Sequence, residues 1–437
     1  MVRGSSAKYV RIAASVLSGW SLMRTIVHMG TIARVAAMRR RRLSLFALTL
    51  LVGLGLSSWV TRTPAVRDAL EASTAQMGLI LFDLSVGSMV GVTAAGSLVR
   101  RWGARPVVIA GTLAILVGTA VVGLSAAGTS TAGAFAGLLA FGLGGGLGEI
   151  GLNIEGAAVE RETDRPVLPV LHGSFSLGTV LGALAGIALT NVAFPPSWHL
   201  LVVALVMSGL AMWALPGLPA GTGRAPVTAA ADGRPRKSGP SVWRDRRLIL
   251  IGAVVLAMAF AEGAANDWLP LLMVDGHGVS ATSGSLVYAG FAAAMTVGRF
   301  AGGPIVVRFG RAPVLRTSAV LAIIGIVIVI LSPSPVLAGA AVALWGLGAS
   351  LGFPVAISAA GDDPERASER VSAVATSGYL AFLVGPPLLG FLGEHAGLRA
   401  AMFVVVALLV VAAFAAGAAR ARPGEERVVV ADPPLRS

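Results

Sequence analysis

Five carboxylates sit inside long apolar runs of this 437-residue chain: Asp83, Glu149, Glu155, Glu262 and Asp267. An ionisable group in hydrocarbon costs several kcal/mol unless it meets a partner or water, so each marks a place where the chain does more than fill a core. Asn153 follows Glu149 by four residues, and Asn266 follows Glu262 by four, so acid and amide share one face of a helix in each case. A carboxylate beside an amide can take up a proton when desolvated and release it when water enters, which is the chemistry of proton coupling. A fixed structural hydrogen bond is the alternative for each acid. Glu155 and Asp267 lie nearer the ends of their runs, and both are expected simply to reach water.

Cations and aromatics near the same runs suggest gates. Arg62 follows Trp59 at the end of the first run, and Asp83 lies about two turns into the second, so an Arg62–Asp83 pair across the mouth is geometrically open, with headgroup anchoring of Trp59 and Arg62 as the competing reading. Arg299 lies nine residues before Arg308, roughly 13 Å deep, too far in for easy snorkelling, and requires an acidic or carbonyl partner within the protein. His172 stands at the start of a run beside Gly173, where it either titrates or packs tightly. The chain has no cysteine, no His/Asp/Glu cluster with metal-ligand spacing and no serine in a triad-like context, so the residues support neither an enzyme, a metal site nor a cofactor.

The elements that must position these groups are membrane helices. The chain is 55% hydrophobic and 13% charged, with a mean hydropathy of +0.82, a composition whose surface must face lipid. Twelve runs can cross about 30 Å of hydrocarbon. They cover 44–62, 77–98, 106–125, 132–157, 169–191, 198–215, 248–273, 283–306, 315–332, 335–359, 371–393 and 399–418. Backbone groups in lipid must be satisfied within the segment, so each is read as a helix. Of 34 Lys and Arg residues, 30 fall on the side of the two termini; Arg62, Arg67 and Arg399 fall on the other, and Arg299 lies within a span. This asymmetry predicts cytoplasmic termini and accounts for the net charge of +13 without nucleic acid as a partner. The boundaries that follow are a basic N-tail over 1–43, six-helix halves over 44–215 and 248–418, a Pro/Gly/Arg-rich cytoplasmic linker over 216–247, and a C-tail over 419–437.

The two halves repeat each other. Gly142, Gly144 and Gly148 return 204 residues later as Gly346, Gly348 and Gly352, and Gly96 with Gly103 returns 207 residues later as Gly303 with Gly310. Gly178, Gly182 and Gly186 form a smooth stripe on one helix face, read as a close packing surface. The segment from Gly96 through Arg100, Arg101 and Gly103 to Arg105 is similar to the signature loop of the major facilitator superfamily, and Gly303 through Arg308 and Gly310 to Arg311 resembles its second copy. Both copies lack the usual aspartate, which is Arg100 in one and Val307 in the other. The stretches Gly151–Glu160, His172–Gly178 and Glu262–Trp268 resemble a narrower bacterial inner-membrane group, the MosC/YbjJ-like proteins.

This resemblance implies an all-α fold of twelve transmembrane helices in two pseudo-symmetric halves, multi-pass in the inner membrane and monomeric in the lipid bilayer. It implies a secondary active transporter of a small organic solute, working by alternating access with protons as the coupling ion. Glu149, Asn153, Glu262, Asn266 and Asp83 are then the candidates for solute and proton; Arg62, Trp59, Arg299, His172 and Asp267 are the candidates for gates. Two alternatives stay open: an exporter of a hydrophobic drug or metabolite, and a non-transporting membrane sensor or scaffold on the same fold.

Overall fold

The computed structural model describes residues 34–163, 167–224, 244–362 and 366–420, without the side chains of residues 169 and 367–369. Most of the expected N-tail, nearly all of the C-tail and most of the linker lie outside the described residues. Within them are twelve helices long and apolar enough to cross a membrane, and no strand. They are α1 (Arg34–Val60), α2 (Thr74–Trp102), α3 (Ala104–Ala127), α4 (Thr131–Thr163), α5 (Val170–Asn191), α6 (Pro196–Gly217), α7 (Arg246–His277), α8 (Ala281–Phe309), α9 (Arg311–Leu331), α10 (Pro335–Ala360), α11 (Arg370–Ala396) and α12 (Leu398–Ala419). All twelve expected runs are helices. The largest boundary difference is at α1, which starts at Arg34 rather than 44 because Arg41 finds acidic partners on α4 and keeps the basic segment helical.

An even number of spans in each half puts the first and last residues of both halves at one end of the bundle, here called the linker face. Several helix starts on the opposite, far face carry their own caps. Ser73 and Gln76 form a capping box on α2, with 2.8 Å and 3.3 Å bonds, and Ser280 caps α8. At the linker face Asp245 caps α7 through the Arg247 and Leu248 N–H groups and also accepts from Arg370 at 2.7 Å. Burial raises the Asp245 carboxyl, but Arg370 and the two backbone donors outweigh it and hold the group below its ordinary range.

The repeated glycines do the same job in both halves. A Cβ at Gly142 would run into the Leu84 carbonyl oxygen of α2, and one at Gly346 would meet the Phe291 carbonyl oxygen of α8 at 2.6 Å. Gly144 instead faces Gly111 on α3, and Gly348 faces Ala322 on α9. The fourth helix of each half is thus locked between the second and third, backbone to backbone. The α5 stripe is also a packing face: Gly178 and Gly182 lie on the carbonyl oxygens of Leu50 and Leu54 in α1, and Gly186 lies on Thr61 just beyond its end. The signature turns match as well, with Gly103 at φ 90° and Gly310 at φ 78°, a left-handed turn that glycine takes without steric cost.

Each half carries a clamp at the linker face. Arg41 on α1 binds Glu155 at 2.6 Å and Glu162 at 2.8 Å, both on α4. Arg247, 206 residues on, binds Asp362 just past α10 at 2.8 Å, and Asp362 also accepts from Arg311. Glu155 is completely buried, contrary to the expectation that it reaches water, because α1 brings a guanidinium to it.

The halves join at the far face. Gly78 on α2 packs on α11, where a Cβ would lie 2.8 Å from the Pro386 carbonyl oxygen and 3.0 Å from the Gly390 Cα. The Ala75 N–H donates to Glu394 at 3.1 Å, the Ser285 hydroxyl donates to the Thr61 carbonyl at 2.9 Å, and Arg67 pairs with Asp275. The clamps at the linker face, by contrast, stay within a half.

Candidate functional site

The helices that flank the boundary between the halves carry polar groups in mid-span. On α4, Glu149 is solvent-exposed, with no hydrogen bond or ion pair among the described residues, although it lies in mid-helix. A carboxylate at membrane depth is costly unless water or a polar group reaches it. Its charge acts on Tyr379 of α11, which belongs to the other half. Gly145, one turn back on α4, is half-buried with nothing within 4 Å of where a Cβ would stand. Asn153 is half-buried one turn nearer the linker face.

The other half supplies an ion pair. Arg299 on α8 donates to Glu262 on α7 at 2.9 Å, which gives Arg299 the internal acidic partner its depth demands. One turn further along α7, the Asn266 amide oxygen accepts from the Tyr288 hydroxyl at 3.4 Å, and the charge of Asp267 also reaches Tyr288. His172 on α5 is exposed and feels the charge of Arg299 across the boundary. Glu149 and His172 of the first half therefore lie within electrostatic reach of Tyr379 and Arg299 of the second.

Several expected placements change. Asp267 is not at an interface: α7 continues ten residues past it to His277, about 15 Å, and the adjacent Trp268 is fully buried. His172 is not in a tight packing site, since Gly173 beside it borders open space. Arg62 does not meet Asp83. It is 2% exposed and its Nε donates to His199 Nδ1 at 2.9 Å, while Asp83 is half-buried on α2 without a described partner. Trp59 is 3% exposed and anchors in protein, not in a headgroup layer. Burial pushes the Arg62 guanidinium down to about 10, which leaves it charged at neutral pH and makes His199 present a free lone pair at Nδ1.

Sequence reasoning missed Tyr288, Tyr379, Arg41 and His199. The chain has only three tyrosines, and two of them stand in mid-span at this boundary, so a hydroxyl-bearing aromatic inside an apolar run was the available signal. Arg41 was signalled by its offset to Arg247, which matches that of the glycine repeats within two residues.

The family model for the Major Facilitator Superfamily matches residues 167–368 and 268–435. An uncharacterized MFS-type transporter of Yersinia pestis is 31% identical over 370 residues, 84% of this chain and 93% of its own length. The membrane protein MosC of Rhizobium meliloti is 27% identical over 365 residues, covering 83% of this chain and 86% of its own. Among solved structures, the nucleoside transporter NupG superposes with a TM-score of 0.67 at 16% identity, over 86% of this chain and 98% of that one, a likeness of fold.

Proposed function

The chain belongs to the major facilitator superfamily, and from that premise we propose that it is a secondary active transporter that carries a small organic solute across the cytoplasmic membrane by alternating access, coupled to protons. The observation that supports this reading is an exposed Glu149 in mid-helix, unpartnered among the described residues and within electrostatic reach of Tyr379 of the other half, while α2 and α11 close on each other at Gly78 on the far face. A site shared between two repeats and shut on one side is what alternating access requires. The 30 basic residues on the linker side support a cytoplasmic linker face, and with that orientation the state is inward-facing. In it Glu262 is occupied by Arg299 and Glu149 has no partner among the described residues, so Glu149 is the carboxylate open to a proton or a solute.

The absence of cysteine lets single thiols report access against no background. A transporter must expose the cleft to each side in turn. Asn153→Cys should therefore react with an impermeant maleimide both in inverted vesicles and in right-side-out cells. Reaction from one side only would fit a static sensor or scaffold and sink the transport reading. Orientation has its own test, with Ser238→Cys in the linker and Val279→Cys between α7 and α8. Only Val279→Cys should label on intact cells; labelling of Ser238→Cys there would reverse the proposed topology.

A further inference from the structure

We propose that Arg62 and His199 hold a small inorganic anion, of halide size, buried at the far-face end of the first half. The site is separate from Glu149 and from its reading as a transport carboxylate. Its basis is a buried charge without a counter-ion. Arg62 follows the last turn of α1 and His199 lies in the first turn of α6, and they are 2% and 1% exposed. Among the described residues the Arg62 side chain makes one bond, from Nε to His199 Nδ1 at 2.9 Å, and no carboxylate offsets the burial of its charge. A cation taken out of water in this way is costly unless an opposite charge reaches it.

What the pair leaves open is all of one kind. The Arg62 Nε–H can only donate, so His199 Nδ1 accepts and the imidazole proton sits on Nε2. Arg62 Nη2 and His199 Nε2 are both shielded from solvent and unpartnered, and both are N–H donors. Ser58, four residues before Arg62 and so on the same side of α1, is fully buried with its Oγ unpartnered, a hydroxyl free to donate as a third group. Two fixed donors, a rotatable hydroxyl and a net positive charge call for an acceptor that is itself negative. A water molecule can accept from two of these groups, but it leaves the charge uncompensated.

Access sets the size of the anion. Trp59, Val60, Thr63 and Val66 on either side of Arg62 are buried, as is Leu200 beside His199. A carboxylate-bearing solute has no room to bring its body to the guanidinium, whereas a chloride ion is little larger than a water molecule. The residue before Arg62 carries a contact between the halves, since the Thr61 carbonyl accepts from the Ser285 hydroxyl at 2.9 Å. The anion thus braces the turn on which the far face closes.

Melting curves of the purified full chain in sodium chloride, sodium bromide and sodium gluconate, at equal ionic strength and in one detergent, test the site. Chloride and bromide should raise the melting temperature above that in gluconate by a few degrees, with an effect that saturates in halide concentration. Arg62→Met should melt at one temperature in all three salts. Ser58→Asp supplies an internal carboxylate four residues from the guanidinium, so it should abolish the halide dependence without melting below the native chain in gluconate. Crystals of the native chain grown in bromide should show an anomalous peak against Arg62 Nη2 and His199 Nε2. Absence of that peak assigns the space to water and overturns the inference, as does a halide effect of native size in both Arg62→Met and Ser58→Asp. If Arg62→Met fails to fold, Ser58→Asp and the bromide peak decide by themselves.

Discussion

Gly78→Leu is expected to lower maleimide labelling of Asn153→Cys from the linker face by about tenfold or more and to raise it from the far face. The reason is the absence of room for even one methyl group. A Cβ at Gly78 would sit 2.8 Å from the Pro386 carbonyl oxygen and 3.0 Å from the Gly390 Cα, both backbone atoms that cannot rotate aside. Forcing a side chain into such a contact costs typically about 1–3 kcal/mol, and each 1.4 kcal/mol is about a factor of ten in population. That cost falls on the state in which α2 and α11 touch, so the balance moves to the state open at the far face. Gly209→Leu, at an exposed α6 position with nothing within 4 Å, is the control and should change neither rate. An unaltered ratio of the two labelling rates in Gly78→Leu would mean that this contact does not set the conformational balance.

The second large effect is on stability. Arg41→Ala should cost about 3–5 kcal/mol, because it strands Glu155, whose side chain is fully shielded from solvent. Glu162, the other partner of Arg41, is 49% exposed and can return to water. The double variant Arg41→Leu with Glu155→Leu should recover most of the loss, since apolar replacement of both partners removes the stranded charge. Melting curves of the purified variants in one detergent decide it. A single variant that melts within a degree or two of the native chain would show that Glu155 finds solvation elsewhere.

How much of this was visible beforehand depends on the kind of signal. Helix number and order follow from length and hydropathy, because lipid forces each run to satisfy its own backbone, and all twelve runs became helices. Arg299 was legible because a cation nine residues inside a span has few options, and it met Glu262. Pairings across distant helices were not legible: Arg41 with Glu155 and Arg62 with His199 join residues more than a hundred positions apart, and hydropathy carries no register between helices. Depth was misjudged at Asp267 because α7 runs on to His277 through Pro270, where the apolar pattern thins before the helix ends.

The glycine contacts bear on what a genetic screen of this protein would return. Gly87, Gly142, Gly144, Gly178 and Gly348 each sit so close to a neighbouring backbone that alanine has no place to go. Random mutagenesis scored by loss of activity would therefore light up stripes on α2, α4, α5 and α10 that never touch solute. Positions that choose the cargo would give a fainter, graded signal, because a changed cleft still folds and inserts. Selecting for altered cargo instead of lost activity would reverse the weighting, since a chain with a disrupted glycine face cannot survive to be selected.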